Sequence, residues 1–140
     1  MRALAAAAFA ALVVLAGCGG DEGTTPEDAA REVVTKFGQA SAKKDYQTIC
    51  DDLIARSLAD NVEEFGLPCE LAFKRGLEAV RRPRLVIRSV TVRGDTARVR
   101  IHTTAANQPA SDDTLQLRRV DGEWRISALS AAPAPQRSAP

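Results

Sequence analysis

A chain of 140 residues with 45% hydrophobic content and a formal net charge of +1 is the size of one domain. Aromatic residues make up only 4%, so the core must rest on Val, Leu, Ile and Ala, with Trp124, Tyr46 and four Phe as its large pieces. The near-zero charge hides a split: residues 18–73 carry 5 basic and 12 acidic side chains, residues 74–100 carry 9 and 2, and residues 101–140 carry 4 and 4. No basic–aromatic motif accompanies the basic stretch, which excludes nucleic-acid binding as its reading.

Residues 1–17 have the plan of an export signal: Arg2, an apolar run over residues 3–16, then small residues ahead of a cysteine. That run is shorter than the ~20 residues a bilayer-spanning helix needs. Leu15-Ala16-Gly17-Cys18 resembles the lipobox of bacterial lipoproteins, in which the cysteine receives a diacylglyceryl group and becomes the first mature residue. The competing readings are a retained signal anchor and an ordinary secretory signal in which Cys18 is incidental. The resemblance implies a signal peptide over residues 1–17, and a lipidated Cys18 with a flexible linker over residues 18–24. It also implies a mature protein held at the extracytoplasmic face of the cell membrane, since two acyl chains anchor stably where one does not.

Thr25-Pro26-Glu27-Asp28 is a helix start, with Thr25 as N-cap, proline at the first helical position and two acids at the positive end of the dipole. Ala30, Val33, Val34, Phe37 and Ala40 recur as one apolar stripe. Asp45 can cap a second helix whose stripe is Tyr46, Ile49, Cys50, Leu53, Ile54 and Leu58, ended by Gly66-Leu67-Pro68. A third helix is expected from Cys69 or Glu70 to Val80, weakened by Gly76.

From Arg84 the apolar period changes to two. Residues 84–93 read as a strand and Gly94-Asp95 as its turn. Ala97, Val99, Ile101 and Thr103 alternate with Arg98, Arg100, His102 and Thr104, a half-buried strand. Residues 105–113, with Asn, Pro, Ser and paired Asp, read as a loop. Leu115 and Leu117 mark the next strand, Asp121-Gly122 a hairpin turn, and Trp124, Ile126 and Ala128 the last strand. Residues 131–140 read as a disordered Pro/Ala-rich tail.

Helices first and an antiparallel meander after them make an α+β domain over residues 25–130. This order, closing in Asp121-Gly122-Glu123-Trp124-Arg125-Ile126, resembles the NTF2-like family. The resemblance implies a cone in which two or three N-terminal helices pack on a curved antiparallel sheet of about four strands, leaving a pocket between. The pocket lining then expected is Phe37, Tyr46, Leu53, Val99, Ile101 and Trp124, suited to a small apolar ligand. Their alternative role is simply to fill the core.

With Cys18 lipidated, Cys50 and Cys69 form an even pair in an exported domain, most simply a disulfide. His102, the only histidine, projects by strand parity away from the pocket with Arg98 and Arg100. Asp51-Asp52 and Asp112-Asp113 have no partner at metal-ligand spacing, so neither a metal nor a cofactor is expected. Enzymes of the resembling family, such as ketosteroid isomerase, place an acid and polar donors inside the cone. Tyr46 is the one such donor expected here, and no inward acid is identified. Parity also places Arg98, Arg100, Arg118 and Arg125 on the outer sheet face, as a contact for an anionic envelope component or as solvated charge that keeps the sheet soluble. The expectation is a non-catalytic lipoprotein domain that binds a small ligand or an envelope partner. An isomerase- or cyclase-type enzyme and a purely structural accessory lipoprotein are the alternatives.

Overall fold

The computed structural model describes residues 23–131. The export signal, Cys18 and the tail from residue 132 onward lie outside the described residues. Four helices come first, α1 (Pro26–Lys43), α2 (Tyr46–Thr48), α3 (Arg56–Glu64) and α4 (Cys69–Leu77). Four strands follow, β1 (Arg84–Arg93), β2 (Thr96–Ala105), β3 (Gln108–Val120) and β4 (Glu123–Ala131). The strands form one antiparallel sheet in the order β1-β2-β3-β4.

The start of α1 follows its sequence. The Thr25 side chain accepts from the Asp28 backbone N–H at 3.1 Å, and Pro26 occupies the first turn. Lys44 closes the helix in a left-handed conformation, and its Nζ reaches across to donate to the Glu78 carbonyl. Ala30, Val34 and Ala40 are buried, with Val33 and Phe37 packed beside them, so the expected stripe is the buried face. It packs chiefly on β1.

The single second helix expected from Tyr46 to Leu58 is two helices. Asp45 caps α2, its carboxylate accepting from the Thr48 hydroxyl and backbone N–H. The Thr48 hydroxyl first, then the Thr48 backbone N–H, holds that carboxyl below its ordinary range. This cap is therefore present at neutral pH and lost as pH falls through the lowered value. The chain then widens into a π-helical turn over Ile49–Leu53. Widening the turn lets both Ile49 and Ile54 reach the core, where each is at most 3% exposed. Ile54 is extended and bridges β4 at Ile126, whose carbonyl accepts from the Ala55 N–H at 2.8 Å. That long-range hydrogen bond satisfies the backbone where the helix breaks.

In the sheet, the turns at Gly94 and at Asp121-Gly122 stand where expected, all three residues having positive φ. The expected loop at residues 105–113 is instead sheet. The turn is only Ala106-Asn107, and β3 begins at Gln108. Its polar residues find partners across the ladder, His102 opposite Asp112 and Thr103 opposite Ser111, which turns a polar run into a paired strand. Pro109 falls at a register irregularity between Thr103 and Ala105, where a residue without an N–H does least damage. Asn107 fastens this hairpin to the chain leaving α4. Its side chain donates to the Ala79 carbonyl at 2.7 Å and accepts from the Arg81 N–H at 2.9 Å.

The core sits between the helices and the inward face of the sheet: Val34, Ile49, Val99, Leu117 and Ile126 are its largest fully buried side chains. A disulfide joins Cys50 in the π-turn to Cys69 at the start of α4, with 2.05 Å between the sulfurs. It encloses all of α3. Among the described residues no helix is long and apolar enough to cross a membrane.

Candidate functional site

Along β2 and β3 the inward positions change character from one end of the sheet to the other. Ala97 and Val99, opposite Leu117 and Leu115, are covered completely by helices. Beyond them Ile101 faces Asp113 and Thr103 faces Ser111, and here the helices stand off. The result is a cavity of about 570 Å³. Phe37, Gly38 and Ser41 of α1 form one wall, Ala72, Phe73, Gly76 and Leu77 of α4 a second, and Leu85, Ile101 and Leu115 the floor. Phe37 and Phe73 meet edge to face, with ring centroids 6.3 Å apart, a favourable aromatic geometry. Gly38 permits the close approach of α1 to β1, since a Cβ there would lie 3.2 Å from that of Leu85.

The open end of this cavity is polar. Ser111 Oγ donates to Asp113 Oδ2 at 2.8 Å, and Thr103 Oγ1 lies 2.8 Å from Ser111 Oγ. The Ser111 proton is spent on the carboxylate, so Thr103 is the donor between the two hydroxyls. Asp113 and Arg84 are the charged residues lining the cavity, and neither forms an ion pair among the described residues. Ser41 Oγ, on the α1 wall, is buried without a hydrogen-bond partner among the described residues.

Of the expected lining residues, Phe37 and Ile101 line the cavity. Leu53, Val99 and Trp124 do not. All are at most 5% exposed and fill the closed end of the core, where Arg119 lies over the Trp124 ring at 4.8 Å. Tyr46 opens onto a different groove, beside Cys50, Cys69 and Lys74, and its hydroxyl has no partner among the described residues. An inward acid is present after all, because Asp113 belongs to β3 and not to a loop. The signal that finds it is the alternation Ser111, Asp113, Leu115, Leu117, one face of a strand extended backwards from its apolar part.

His102 lies off the cavity, as parity predicts, but it has a neighbour: its Nδ1 is 2.9 Å from Asp112 Oδ1. Arg98, Arg100 and Arg118 are exposed, and none forms an ion pair among the described residues. Arg125 stands opposite Arg118 in the ladder, but its guanidinium is not free. Its guanidinium donates to the Asp51 carbonyl at 2.9 Å and to Glu123 at 3.0 Å, binding the sheet edge to the π-turn. Among the described residues no three of His, Cys, Asp and Glu are grouped to hold a metal ion.

This arrangement of helices on an antiparallel sheet is a fold shared with known proteins. A protein of unknown function from Shewanella baltica, described as NTF2-like, superposes with a TM-score of 0.55 at 21% identity, covering 76% of this chain and 93% of that one. The fold is NTF2-like. A protein from Nostoc punctiforme described as having a cystatin-like fold superposes on this NTF2-like domain with a TM-score of 0.59 at 15% identity, covering 80% and 95%. A "putative dehydratase from the NTF2-like family" of Streptomyces avermitilis gives 0.57 at 17% identity, covering 77% and 95%. The sequence family described as "Putative lumazine-binding" matches residues 68–129, from the start of α4 to near the end of β4. No curated protein matches the chain.

Proposed function

We propose that this protein is a membrane-anchored extracytoplasmic lipoprotein whose NTF2-like domain is a non-catalytic binding module for a small, largely apolar ligand. The observation that carries the reading is the cavity of about 570 Å³ between α1, α4 and the sheet. It is within the size range of small-molecule sites and has the composition usual for them, apolar walls with a few convergent polar groups. Lumazine binding, the property in the description of the family matching residues 68–129, is a recognition of the same kind. A flat heterocycle has faces for Phe37 and Phe73 and a hydrogen-bonding edge for the polar end.

One observation favours a second reading. Asp113 is an acid inside the cone, as an isomerase, cyclase or dehydratase would require, although Tyr46, the expected donor, stands at another groove. Mass spectrometry of protein extracted from its native membrane tests both readings at once. The expected species begins at a diacylglyceryl-bearing Cys18, contains the Cys50–Cys69 disulfide and retains a small molecule that fresh protein leaves unchanged. An unprocessed chain with no retained molecule would contradict the proposal, and conversion of that molecule would select the enzyme.

Arg98, Arg100 and Arg118, exposed and without an ion pair among the described residues, give the outer sheet face to an anionic envelope component. Sedimentation of the domain lacking Cys18 with anionic vesicles is expected, and Arg98→Glu with Arg100→Glu should abolish it; binding unchanged in that double variant would remove this role.

A further inference from the structure

The cavity narrows the chemistry of its ligand beyond "small and apolar". Inward positions on β3 run Leu115, Asp113, Ser111 and those on β2 run Val99, Ile101, Thr103, so apolar floor gives way to polar rim within two residues. At that rim every proton in the hydroxyl chain is already used. Thr103 donates to Ser111 and Ser111 donates to Asp113, which leaves these three side chains presenting lone pairs only, those of Thr103 Oγ1 and Asp113 Oδ1, while the neutral donors of the lining, Ser41, Thr104 and Gln108, carry no charge to set against the carboxylate. The one other charged lining residue, Arg84, pairs with Thr104 across the β1–β2 ladder. Among the described residues it forms no ion pair with Asp113, so the carboxylate is left for a ligand's charge.

We infer that the ligand has an apolar body and a hydrogen-bond-donating cationic head, an arylalkyl- or alkylamine in chemical class, with the head held by Asp113 at the rim of the cavity and the body against Phe37, Leu85, Ile101 and Leu115. A carboxylate-headed ligand of the same size would set its own lone pairs against those of Thr103 and Asp113. The inference rests on the cavity being the binding site, and it is separable from that claim.

The test compares three probes of one shape with the domain: protonated 1-naphthylmethylamine, neutral 1-naphthylmethanol and anionic 1-naphthoate, titrated by intrinsic probe fluorescence. The amine should bind about tenfold or more tighter than the carboxylate, the range expected of hydrogen bonds to a charged group. Asp113→Asn, nearly isosteric, should reduce that ratio to within about threefold, while Ser111→Ala, which keeps the charge, should preserve it. If the alcohol binds and the amine has no advantage, or keeps its advantage in Asp113→Asn, the inference falls and the cavity stands. If none of the three binds, the cavity reading falls, and the inference with it.

Discussion

Removing the Cys50–Cys69 disulfide should lower the stability of the domain by about 3 kcal/mol, the chain-entropy value for the 19-residue separation the bond closes. For a domain of this size that is a fall in Tm of roughly 10–15 °C. The loss should also be uneven. The bond encloses α3 and joins the π-turn to α4, and α4 is one wall of the cavity. In the Cys50→Ser, Cys69→Ser variant, amides of α3 and α4 should exchange faster than those of β2 and β3, whose hold is the ladder itself. Calorimetry and hydrogen exchange on the oxidised domain and the variant check both parts. Equal melting temperatures, or protection lost uniformly, would show that the bond constrains nothing the packing does not already hold.

The fold was legible wherever one residue type determines a local conformation. Thr25-Pro26 starts α1, Asp121-Gly122 turns β3 into β4, and the alternation from Ala97 to Ile101 separates core from solvent on β2. The break at Ile54 was not legible, because its cause is the Ile126 carbonyl more than seventy residues away, capturing the Ala55 N–H. Nor was the first half of β3. Gln108 to Asp113 has the composition of a loop, and only pairing with β2 makes a strand of it.

The difference between the expected lining and the cavity comes from that same stretch. With residues 105–113 read as a loop, β3 is too short to reach the open end of the cone, and the expected lining falls at the closed end. There Leu53, Val99 and Trp124 are buried in the core, the alternative role given for them. The rim, Thr103, Ser111 and Asp113, consists of residues whose side chains bond to each other, Thr103 to Ser111 across the strands and Ser111 to Asp113 along β3. Arg125 stands opposite Arg118 in the ladder, but its guanidinium is engaged elsewhere. Parity gives the face of a strand, but at a sheet edge a long side chain can bend to a neighbour, and Arg125 bends to the π-turn.

Filling the cavity should eliminate ligand binding without unfolding the protein, and Gly76 is the position to fill. It lines the cavity from α4, and a Cβ built there meets nothing within 4 Å. Glycine inside a helix costs about 1 kcal/mol relative to alanine, so replacement relieves a backbone penalty while adding bulk toward open space. Gly76→Phe should therefore melt no lower than the parent, and a ring at the cavity mouth should weaken binding of an apolar probe by about a hundredfold, equivalent to about 3 kcal/mol. Gly38→Phe would not serve, because even a Cβ at that position crowds Leu85.

The most direct measurement is an amide NMR titration of the isotopically labelled domain with 1-naphthylmethanol, repeated on Gly76→Phe. Saturable shifts should centre on Phe37, Leu77, Leu85, Ile101 and Leu115, leave Val99 and Ile126 at the closed end unmoved, and vanish in the variant. Shifts that fail to saturate, that centre on the groove at Tyr46, or that persist unchanged in Gly76→Phe would contradict the assignment of this cavity as the ligand site.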